Sequence, residues 1–352
     1  MTSRLLIRDI IARRPVPRCG FWMGNPHPDT LPLYLRYFGV ETLEGLHLRL
    51  RSDFRWITPQ FIDSTYRHPQ GKGVFDIWKY KKSLGEPGPL AGCTTVAGVE
   101  KHDWPRLEFL NFDECLAQLQ SAGPYYRASG FWSPFFHDVM DLFGVEQFML
   151  NLHQRPDVVR AALDCVCGFY YRANERFFRE AGDLVDGFFF GNDFGTQRDL
   201  LVSPSQLEEF IFPWFRRFTA QAHGFGHQVI LHSCGSVHRV IGTLIDAGVD
   251  CLHPLQALAG NMDAQTLGRD FGGKISFLGG IDTQDLLVNA GVEEVKAEVR
   301  RVKSLLGPHL IVSPSHEALL PNVAPENVLA MAEAAIAPLR VTASSNASSG
   351  CA

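Results

Sequence analysis

The sequence contains no run of apolar residues that approaches the roughly 20 needed to cross a membrane. The 352-residue chain also lacks the continuous apolar core of a signal peptide, because Arg4, Arg8 and Asp9 interrupt its first segment. Its eight cysteines show no disulfide-scaffold spacing, so we expect reduced thiols. These absences predict a cytoplasmic protein with no membrane partner.

Positive charge is also scarce. Lys and Arg total 33 against 38 Asp and Glu, which gives a net charge of −5, and no basic stripe is visible. Proteins that bind nucleic acid usually carry such a stripe, because they neutralise backbone phosphates. We therefore expect no nucleic-acid partner.

The chain further lacks the Gly-rich loop of a dinucleotide-binding unit, so we expect no nucleotide cofactor. No internal repeat is present and no linker divides the sequence, which predicts a single domain over residues 1–340. Residues 341–352 are of low complexity and are predicted to form a disordered tail.

What is present is a regular alternation of short apolar strands with amphipathic helices. The predicted strands lie at 18–24, 54–59, 125–132, 185–193, 228–235, 249–256, 274–282 and 309–316. Such alternation is typical of parallel strands covered by helices, and about eight strands predict a distorted (β/α)8 TIM barrel. We expect an N-terminal helix over 3–13 on the outside of the barrel and an irregular insertion over 60–110.

Polar side chains gather where the predicted strands end. They are Asn192 and Asp193, His232 and Cys234, His253 and Gln256, Asp282, and His316 and Glu317. Any one of them could be a helix cap or an internally satisfied group, but five consecutive units with polar ends indicate a site at the C-terminal face of the barrel. We predict that Asn192, His253 and Gln256 bind substrate, together with Trp22 in the aromatic segment after the first strand.

Three carboxylates are candidates for catalysis. Asp193 follows a buried strand and could orient or protonate a substrate, although it could also cap a turn. Asp282 in "GGIDTQD" fits catalysis and a helix N-cap equally well. Asp76 lies among Phe75, Trp78 and Tyr80, where desolvation could raise its pKa; the alternative is a loop that covers the barrel mouth.

The stretch "ILHSCGSV" at residues 230–237 carries the most specific pattern. His232 and Cys234 are two residues apart, so on a strand both would point to the same side. Zinc requires at least three protein ligands. His316, with Glu317 beside it, lies at the end of the last strand and could complete a zinc site. The alternative is a core thiol beside a histidine bonded to the backbone.

Four motifs resemble the uroporphyrinogen decarboxylase superfamily, over residues 120–340. They are "GNDFGTQRDLLVSPSQLEEFIFP", "VILHSCGSVHRVIGTLIDAGVDCLHPLQ", "GGKISFLGGIDTQDLL" and "IVSPSHEALLPNVAPENV". The resemblance implies a distorted (β/α)8 barrel with its site at the C-terminal face. The superfamily includes tetrapyrrole decarboxylases and zinc-dependent methyltransferases that pass methyl groups between corrinoid proteins and thiols.

The two branches differ at positions that can be compared with this chain. The decarboxylases carry an arginine-rich N-terminal segment and an aspartate after serine, whereas here the corresponding stretch, "CGFWMGNPHPDT", has no arginine cluster beyond Arg18, and Asp76 follows Phe75. The methyltransferases carry His-x-Cys and a distant cysteine. His232 and Cys234 match the first pair, and His316 falls at the position that resembles the last cysteine. His316 also resembles a histidine in the last barrel loop of the decarboxylases.

Three hypotheses follow. The preferred one is zinc-dependent methyl transfer between a methylated small molecule or a corrinoid protein and a thiol-type or other carrier acceptor. The second is a cofactor-free decarboxylase of uroporphyrinogen or a related carboxylated substrate, in which Asp76 or Asp193 stabilises a protonated ring system. The third is a non-catalytic barrel. The sequence does not decide between a monomer and a homodimer, because the aromatic segment at 131–143 fits either a dimer interface or the core.

Overall fold

The computed structural model describes residues 1–75 and 86–339. The strands are β1 (Gly20–Phe21), β2 (Asn25–Pro26), β3 (Phe54–Trp56), β4 (Tyr126–Ser129), β5 (Gly187–Gly191), β6 (Gln228–His232), β7 (Cys251–His253), β8 (Ser276–Ile281), β9 (Leu310–Pro314) and β10 (Ala318–Leu319). The main sheet has eight strands in the order β1–β9–β8–β7–β6–β5–β4–β3, and all its recorded pairs are parallel. This sheet curls into a nearly closed barrel, which confirms the predicted (β/α)8 fold.

Helices surround the sheet. They are α1 (Ser3–Ile11), α2 (Leu31–Phe38), α3 (Leu43–Arg49), α4 (Val96–Glu100), α5 (Asp113–Ser121), α6 (Phe135–Phe143), α7 (Val145–Gln154), α8 (Pro156–Ala181), α9 (Pro204–Gln206), α10 (Phe212–Gly224), α11 (Ile241–Asp246), α12 (Ala264–Phe271), α13 (Leu286–Asn289), α14 (Val292–Leu306) and α15 (Pro325–Ile336). A π-helical segment, Leu207–Ile211, joins α9 to α10. None of the helices in the described ranges is long and apolar enough to cross a membrane.

Local sequence explains where several helices begin. The side-chain oxygens of Thr2, Ser203 and Asp263 accept hydrogen bonds from backbone N–H groups in the first turns of α1, α9 and α12. Ser203 and Gln206 form a complete capping box. These bonds satisfy N–H groups that have no partner within the helix.

The seam between β1 and β3 is closed through Asp53. Its backbone N–H donates to the carbonyl of Phe21 at 2.8 Å, and its carboxylate accepts from the Phe21 N–H at 3.0 Å. Arg18 pairs with the same carboxylate at 2.7 Å. The Asp53 side chain therefore accepts a hydrogen bond that a backbone carbonyl would accept in a continuous β-ladder.

The barrel interior is filled, so it offers no channel. Trp22, Phe54, Tyr126, Phe189 and their neighbours form one buried cluster inside the sheet. Leu6, Ile7, Ile10 and Ile11 of α1 belong to the same cluster. The prediction that this helix lies on the outside of the barrel was wrong: α1 covers the amino-terminal mouth, because its apolar face completes the interior core. Helix α1 does not cover the opposite, C-terminal mouth of the barrel, where a functional site can form.

The segment predicted as an irregular insertion contains little regular structure where it is described. Within residues 60–110 the structure shows two 3₁₀ turns, the short helix α4 and an isolated antiparallel bridge between Tyr66 and Leu110. Asp76 and the tail at 341–352 lie outside the described residues, so the predictions made for them stay predictions.

Candidate active site

Two buried histidines lie side by side at the C-terminal mouth of the barrel. His232 is the last residue of β6 and pairs in register with His253, the last residue of β7. Their Nδ1 atoms are 2.9 Å apart, and the two residues are 3% and 0% exposed. Adjacent parallel strands that end at the same level place these imidazoles in contact.

Asp193 and Cys234 lie against the other nitrogen of His232. The His232 Nε2 atom is 3.2 Å from the Cys234 sulfur and 3.3 Å from Asp193 Oδ1. The backbone N–H of Cys234 donates to the same carboxylate oxygen at 2.8 Å. The three side chains therefore form one compact cluster of nitrogen, sulfur and oxygen donors.

The turn after β6, and not strand alternation, brings Cys234 to His232. The strand ends at His232, two residues before the cysteine. Gly235 has φ +79°, and a Cβ at that position would lie 2.4 Å from the backbone of Gly195. This close approach of two loops sets Asp193 beside Cys234. The expected proximity of His232 and Cys234 is present, but for a different geometric reason.

The loop after β9 contributes His316 and Glu317. Strand β10, just beyond them, pairs in parallel with β2, and the Asn25 N–H donates to the Glu317 carbonyl at 2.6 Å. Glu317 Oε2 lies 3.4 Å from His232 Nδ1 and 3.5 Å from His316 Nδ1. This carboxylate oxygen is buried and has no hydrogen-bond partner. The small second sheet thus holds an unsatisfied carboxylate against the histidines.

The charges in this cluster are coupled. Burial by itself would lower the pKa of His232, but Glu317, Cys234 and Asp193 together raise it well above its ordinary value. Burial would raise the pKa of Asp193, yet its hydrogen bond and charge interaction with His232 hold it well below its usual range. Burial and the charge of His232 lower the pKa of His253 well below normal. These directions favour an ionised Asp193 facing a protonated His232 at neutral pH. The neutral His253 ring then accepts a hydrogen bond from His232 through the paired Nδ1 atoms.

This arrangement favours one of the roles considered for Asp193, and both stay predictions. A carboxylate with a depressed pKa has no proton to donate near neutral pH. Protonation of a substrate by Asp193 is therefore disfavoured, and orientation of His232 and Cys234 is the role that fits its contacts.

Two overlapping groups of side chains could hold a metal ion. In the described part of the chain, Asp193, His232 and Cys234 form one group, and His232, His253 and Glu317 the other. Within each group the ligand atoms all lie within 4.8 Å of one another. His316 belongs to neither group, but it hydrogen-bonds Cys234, which raises the pKa of its ring against the effect of burial. The zinc set of His232, Cys234 and His316 with Glu317 stays a prediction, and Asp193 and His253 are additional candidate ligands.

Aromatic rings form the wall and floor of the site. The Trp132 ring lies 5.1 Å from that of His232 and 4.9 Å from that of Trp56. Beneath them Trp22 packs 5.5 Å from His253 and is 0% exposed. Trp22 thus supports the histidines from below, while its predicted substrate contact stays untested. Trp56 and Trp132 were missed in the sequence, although Trp56 lies within the predicted strand 54–59 and Trp132 ends the predicted strand 125–132.

His137 is a second residue that the sequence did not single out. It lies in α6, immediately after the β4 loop, and interacts electrostatically with Asp193 and His232. Burial lowers its pKa, against the opposing effects of Asp193 and Asp141. The segment at 131–143 was considered only as interface or core, so its histidine was overlooked.

The remaining predicted substrate ligands have different surroundings. Asn192 is 1% exposed; its side chain accepts from the Phe136 N–H at 2.9 Å and donates to the Ser133 carbonyl at 3.1 Å. It therefore fixes the β4 loop and the start of α6. Gln256 lines a cavity of about 320 Å³ next to His316, and its Oε1 accepts from the Gly235 N–H at 2.8 Å. Of these two residues, Gln256 borders the open space.

Asp282 forms a cap, which is the structural alternative considered for it. Its Oδ2 accepts from the N–H groups of Asp285 and Leu286 at 2.8 and 2.9 Å, at the start of α13. It lines a separate cavity, together with Asp285 and Asp263. These contacts fit the structural alternative, and the catalytic role of Asp282 stays a prediction.

We predict that Asp282→Ala lowers the free energy of unfolding by about 1 kcal/mol, the usual cost of losing a helix N-cap. Urea unfolding followed by circular dichroism measures this change. Metal binding by the same variant should match that of the wild type. A loss of metal with unchanged stability would instead support a functional role for Asp282.

Comparison with known proteins agrees with the barrel. A sequence profile for uroporphyrinogen decarboxylase (URO-D) matches residues 138–337. A methyltransferase from Methanosarcina mazei has a similar fold, with a TM-score of 0.63 and 15% identity over 95% of this chain and 98% of that one. A Listeria monocytogenes protein described as a vitamin-B12-independent methionine synthase aligns with a TM-score of 0.41 and 10% identity over 90% of this chain and 96% of that one. No curated protein shows a significant sequence match.

Proposed function

Because the chain belongs to the uroporphyrinogen decarboxylase family, we propose that it is a methyltransferase that acts on a small-molecule substrate. In this proposal a zinc ion is held at His232 and Cys234, and the methyl group passes to a thiol-type or other carrier acceptor. The observation that carries the proposal is the convergence of imidazole, thiol and carboxylate donors at the barrel mouth.

The donor spacing fits a zinc ion. A tetrahedral site with bonds of roughly 2.0–2.3 Å has neighbouring ligands about 3.5 Å apart. The His232 Nε2 atom lies 3.2 Å from Cys234 Sγ and 3.3 Å from Asp193 Oδ1. Nitrogen, thiolate and carboxylate ligands suit zinc. His316 interacts with Cys234 and is a further candidate donor on this side of the ring. Glu317 and His253 lie against Nδ1, on the opposite side of the His232 ring.

The local charge also favours a cation. Asp193 and Glu317 both face His232 and raise its pKa, so the charge around this ring is compatible with a cation. A bound divalent cation would supply that charge in place of the proton. Zinc would act as a Lewis acid that keeps a thiol ionised at neutral pH.

Residues of the chain would orient the zinc ligands, exclude water and admit the acceptor. Asp193 holds the Cys234 backbone and the His232 ring in one orientation. His253 contacts the opposite edge of His232 and is itself fixed by Trp22 and Phe189. Trp132 and Trp56 exclude water from one side. Gln256 and His316 border the cavity of about 320 Å³ that could admit an acceptor, including a group carried by a corrinoid protein.

The residues that line the two cavities give less support to the decarboxylase alternative. A substrate with many carboxylates needs Arg or Lys groups to compensate its charge. The described residues that line the cavities beside Trp56 and beside His316 include no Arg or Lys. This lining supports a substrate that is not polyanionic.

The proposal predicts about one zinc ion per chain in protein purified without a histidine tag. Cys234→Ala should weaken zinc binding by at least about 100-fold, since loss of a mere outer-shell partner already costs about 10–100-fold. Elemental analysis gives the stoichiometry, and competition with a chromophoric chelator gives the affinity.

Cys93→Ala is the matched control, because the Cys93 thiol is partly exposed and bonds only the nearby Thr95 carbonyl. It should bind zinc as the wild type does. Wild-type protein that binds no zinc, or a Cys234→Ala variant with unchanged affinity, would reject the metal-dependent proposal and favour the decarboxylase.

A further inference from the structure

The cavity of about 320 Å³ at the barrel mouth is polar but almost uncharged. The described residues that line it include no Asp, Glu, Lys or Arg, and His316 is its one titratable side chain among them. Most of the others carry amide or hydroxyl groups: Gln256, Thr283, Gln284, Ser315 and Asn322. Such a lining favours an uncharged polar molecule, because an ion would lose hydration without meeting an opposite charge.

The Gln256 amide is held in one orientation. Its Oε1 accepts from the Gly235 N–H at 2.8 Å and from the Gln197 Nε2 at 3.3 Å. No acceptor among the described residues bonds the remaining NH2 group of Gln256. This group is therefore a hydrogen-bond donor available to a carbonyl oxygen of a ligand.

Two further amides lie on the exposed rim of the cavity. They belong to Gln284, after β8, and Asn322, after β10. Within the described ranges neither side chain has a hydrogen-bond partner. A side-chain amide both donates and accepts, so these groups complement a ligand amide. Leu320 and Val323 line the same cavity and offer apolar surface to a short hydrocarbon stem.

The cavity adjoins the donor cluster directly. His316 lines the cavity and hydrogen-bonds Cys234, and Gln256 bonds the N–H of the residue after Cys234. Cys234 is partly exposed, so the cluster is open on this side. Any positive charge on His316 faces Glu317 Oε2 at 3.5 Å and is not free to attract an anionic ligand.

We propose that this cavity binds the tail of the thiol acceptor and that this tail carries an uncharged amide. The inference rests on the proposed methyl transfer and names the class of its acceptor. The tail would lie against the amides of Gln256, Gln284 and Asn322, while the sulfur reaches the zinc position beside His316. A cavity of this volume accommodates a small organic group.

The transfer balances with the methyl donor of the proposed function as the only other reactant. The thiol loses its proton, and a lone pair of the resulting thiolate forms the new bond to the methyl carbon. The bond between that carbon and the donor breaks, and its electron pair stays with the donor. The products are a thioether and the demethylated donor, so neither an oxidant nor a reductant is needed.

The first test measures binding of three thioether probes that have nearly the same shape. They are 3-(methylthio)propanamide, 3-(methylthio)propanoate and methyl 3-methylbutyl sulfide. Ligand-observed NMR titration should show that the amide binds at least about ten times more tightly than either of the others. The sulfide lacks the hydrogen bonds, and the carboxylate meets no opposite charge.

The double variant Gln284→Leu/Asn322→Leu should weaken binding of the amide probe by about ten-fold, while affinity for the sulfide does not fall. Gln265→Leu is the control, because Gln265 is also an exposed glutamine but lies in α12, outside the cavity lining. Equal affinities for the three probes, tightest binding of the carboxylate, no binding of any probe, or an equal loss with both variants would overturn the proposal.

A second test asks whether the tail and the metal act on one ligand. On zinc-loaded protein, 3-mercaptopropanamide should bind at least about ten times more tightly than 3-(methylthio)propanamide, because a thiolate is a zinc ligand. Cys93→Ala should keep this difference. Equal affinity of the thiol and the thioether would show that a ligand in the cavity does not reach the ion, and would reject the acceptor role.

The thioether titrations with chelator-treated protein and with Cys234→Ala separate this inference from the proposed function. Cys234 is not among the lining residues, so binding of the amide probe should persist in both samples. Selective binding of the amide by a protein that takes up no zinc would reject the metal-dependent function alone. Zinc binding by a protein that does not discriminate among the three probes would reject the acceptor class alone.

Discussion

Asp193→Asn should slow methyl transfer by about 100-fold or more while the fold remains intact. The wild-type carboxylate accepts from the Cys234 N–H at 2.8 Å and lies 3.3 Å from His232 Nε2. An amide of the same size keeps one oxygen that can accept both bonds, but it carries no negative charge. The site would then lose the carboxylate charge that faces His232.

The measurement is the initial rate of thioether formation, at saturating zinc, from a methyl donor that the wild type accepts. The melting temperature should stay close to that of the wild type, because Asp193 is not part of the apolar core. Asp199→Asn is the matched control: it lies in the same loop but pairs with Arg239 at the surface. Near-normal turnover by Asp193→Asn would remove this residue from the catalytic machinery.

Gly279→Ala should destabilise the barrel by more than about 4 kcal/mol or prevent folding. Gly279 lies in β8 with φ +127°, a backbone conformation that residues with a side chain rarely adopt. An added Cβ would lie 1.9 Å from the carbonyl oxygen of Pro254. This contact is with backbone, so it cannot be relieved by turning a side chain. The strand that carries His253 directly before Pro254 would have to move.

Soluble yield and urea unfolding of the purified variant measure this effect. Gly242→Ala is the control, because Gly242 lies in α11 and an added Cβ meets nothing within 4 Å. There alanine should stabilise the helix by about 0.5–1 kcal/mol. A Gly279→Ala protein as stable as the wild type would show that β7 and β8 can separate at this point.

The charge arrangement links these residues to the proposed chemistry. Three acidic or potentially anionic groups surround His232, and the protonated ring holds them together in the absence of a metal. A zinc ion would replace that proton, so metal binding and protonation of His232 compete. In the proposed function, the cluster therefore holds positive charge with or without the metal.

The sequence by itself determined the architecture. Short apolar strands such as 185–193 and 274–282 alternate with helices at a spacing that only parallel strands with helical crossovers satisfy. The eight predicted strands coincide with the observed ones, although the observed strands are shorter. The polar residues at their ends could be located because side chains that follow buried strands break an otherwise apolar pattern.

Several features of the site depended on tertiary structure alone. The sequence could not distinguish Asp193 from Asp282, since both carboxylates follow an apolar strand. One faces His232 and the other caps α13, and this depends on how the loops after the strands turn. Cys234 reaches His232 through a turn that Gly235 permits and the Gly195 backbone confines, and the contact between Gly235 and Gly195 is not local in sequence.

The same limit applies to Trp56, Trp132 and Phe61. They come from two segments more than 70 residues apart, and Trp132 contacts the other two rings only when β3 and β4 pair. Helix α1 was placed on the wrong part of the barrel for a related reason. Its amphipathic pattern predicts a buried face, but the pattern carries no information on which apolar surface that face will cover. Periodicity along a chain specifies local structure, whereas contacts between distant segments depend on packing in three dimensions.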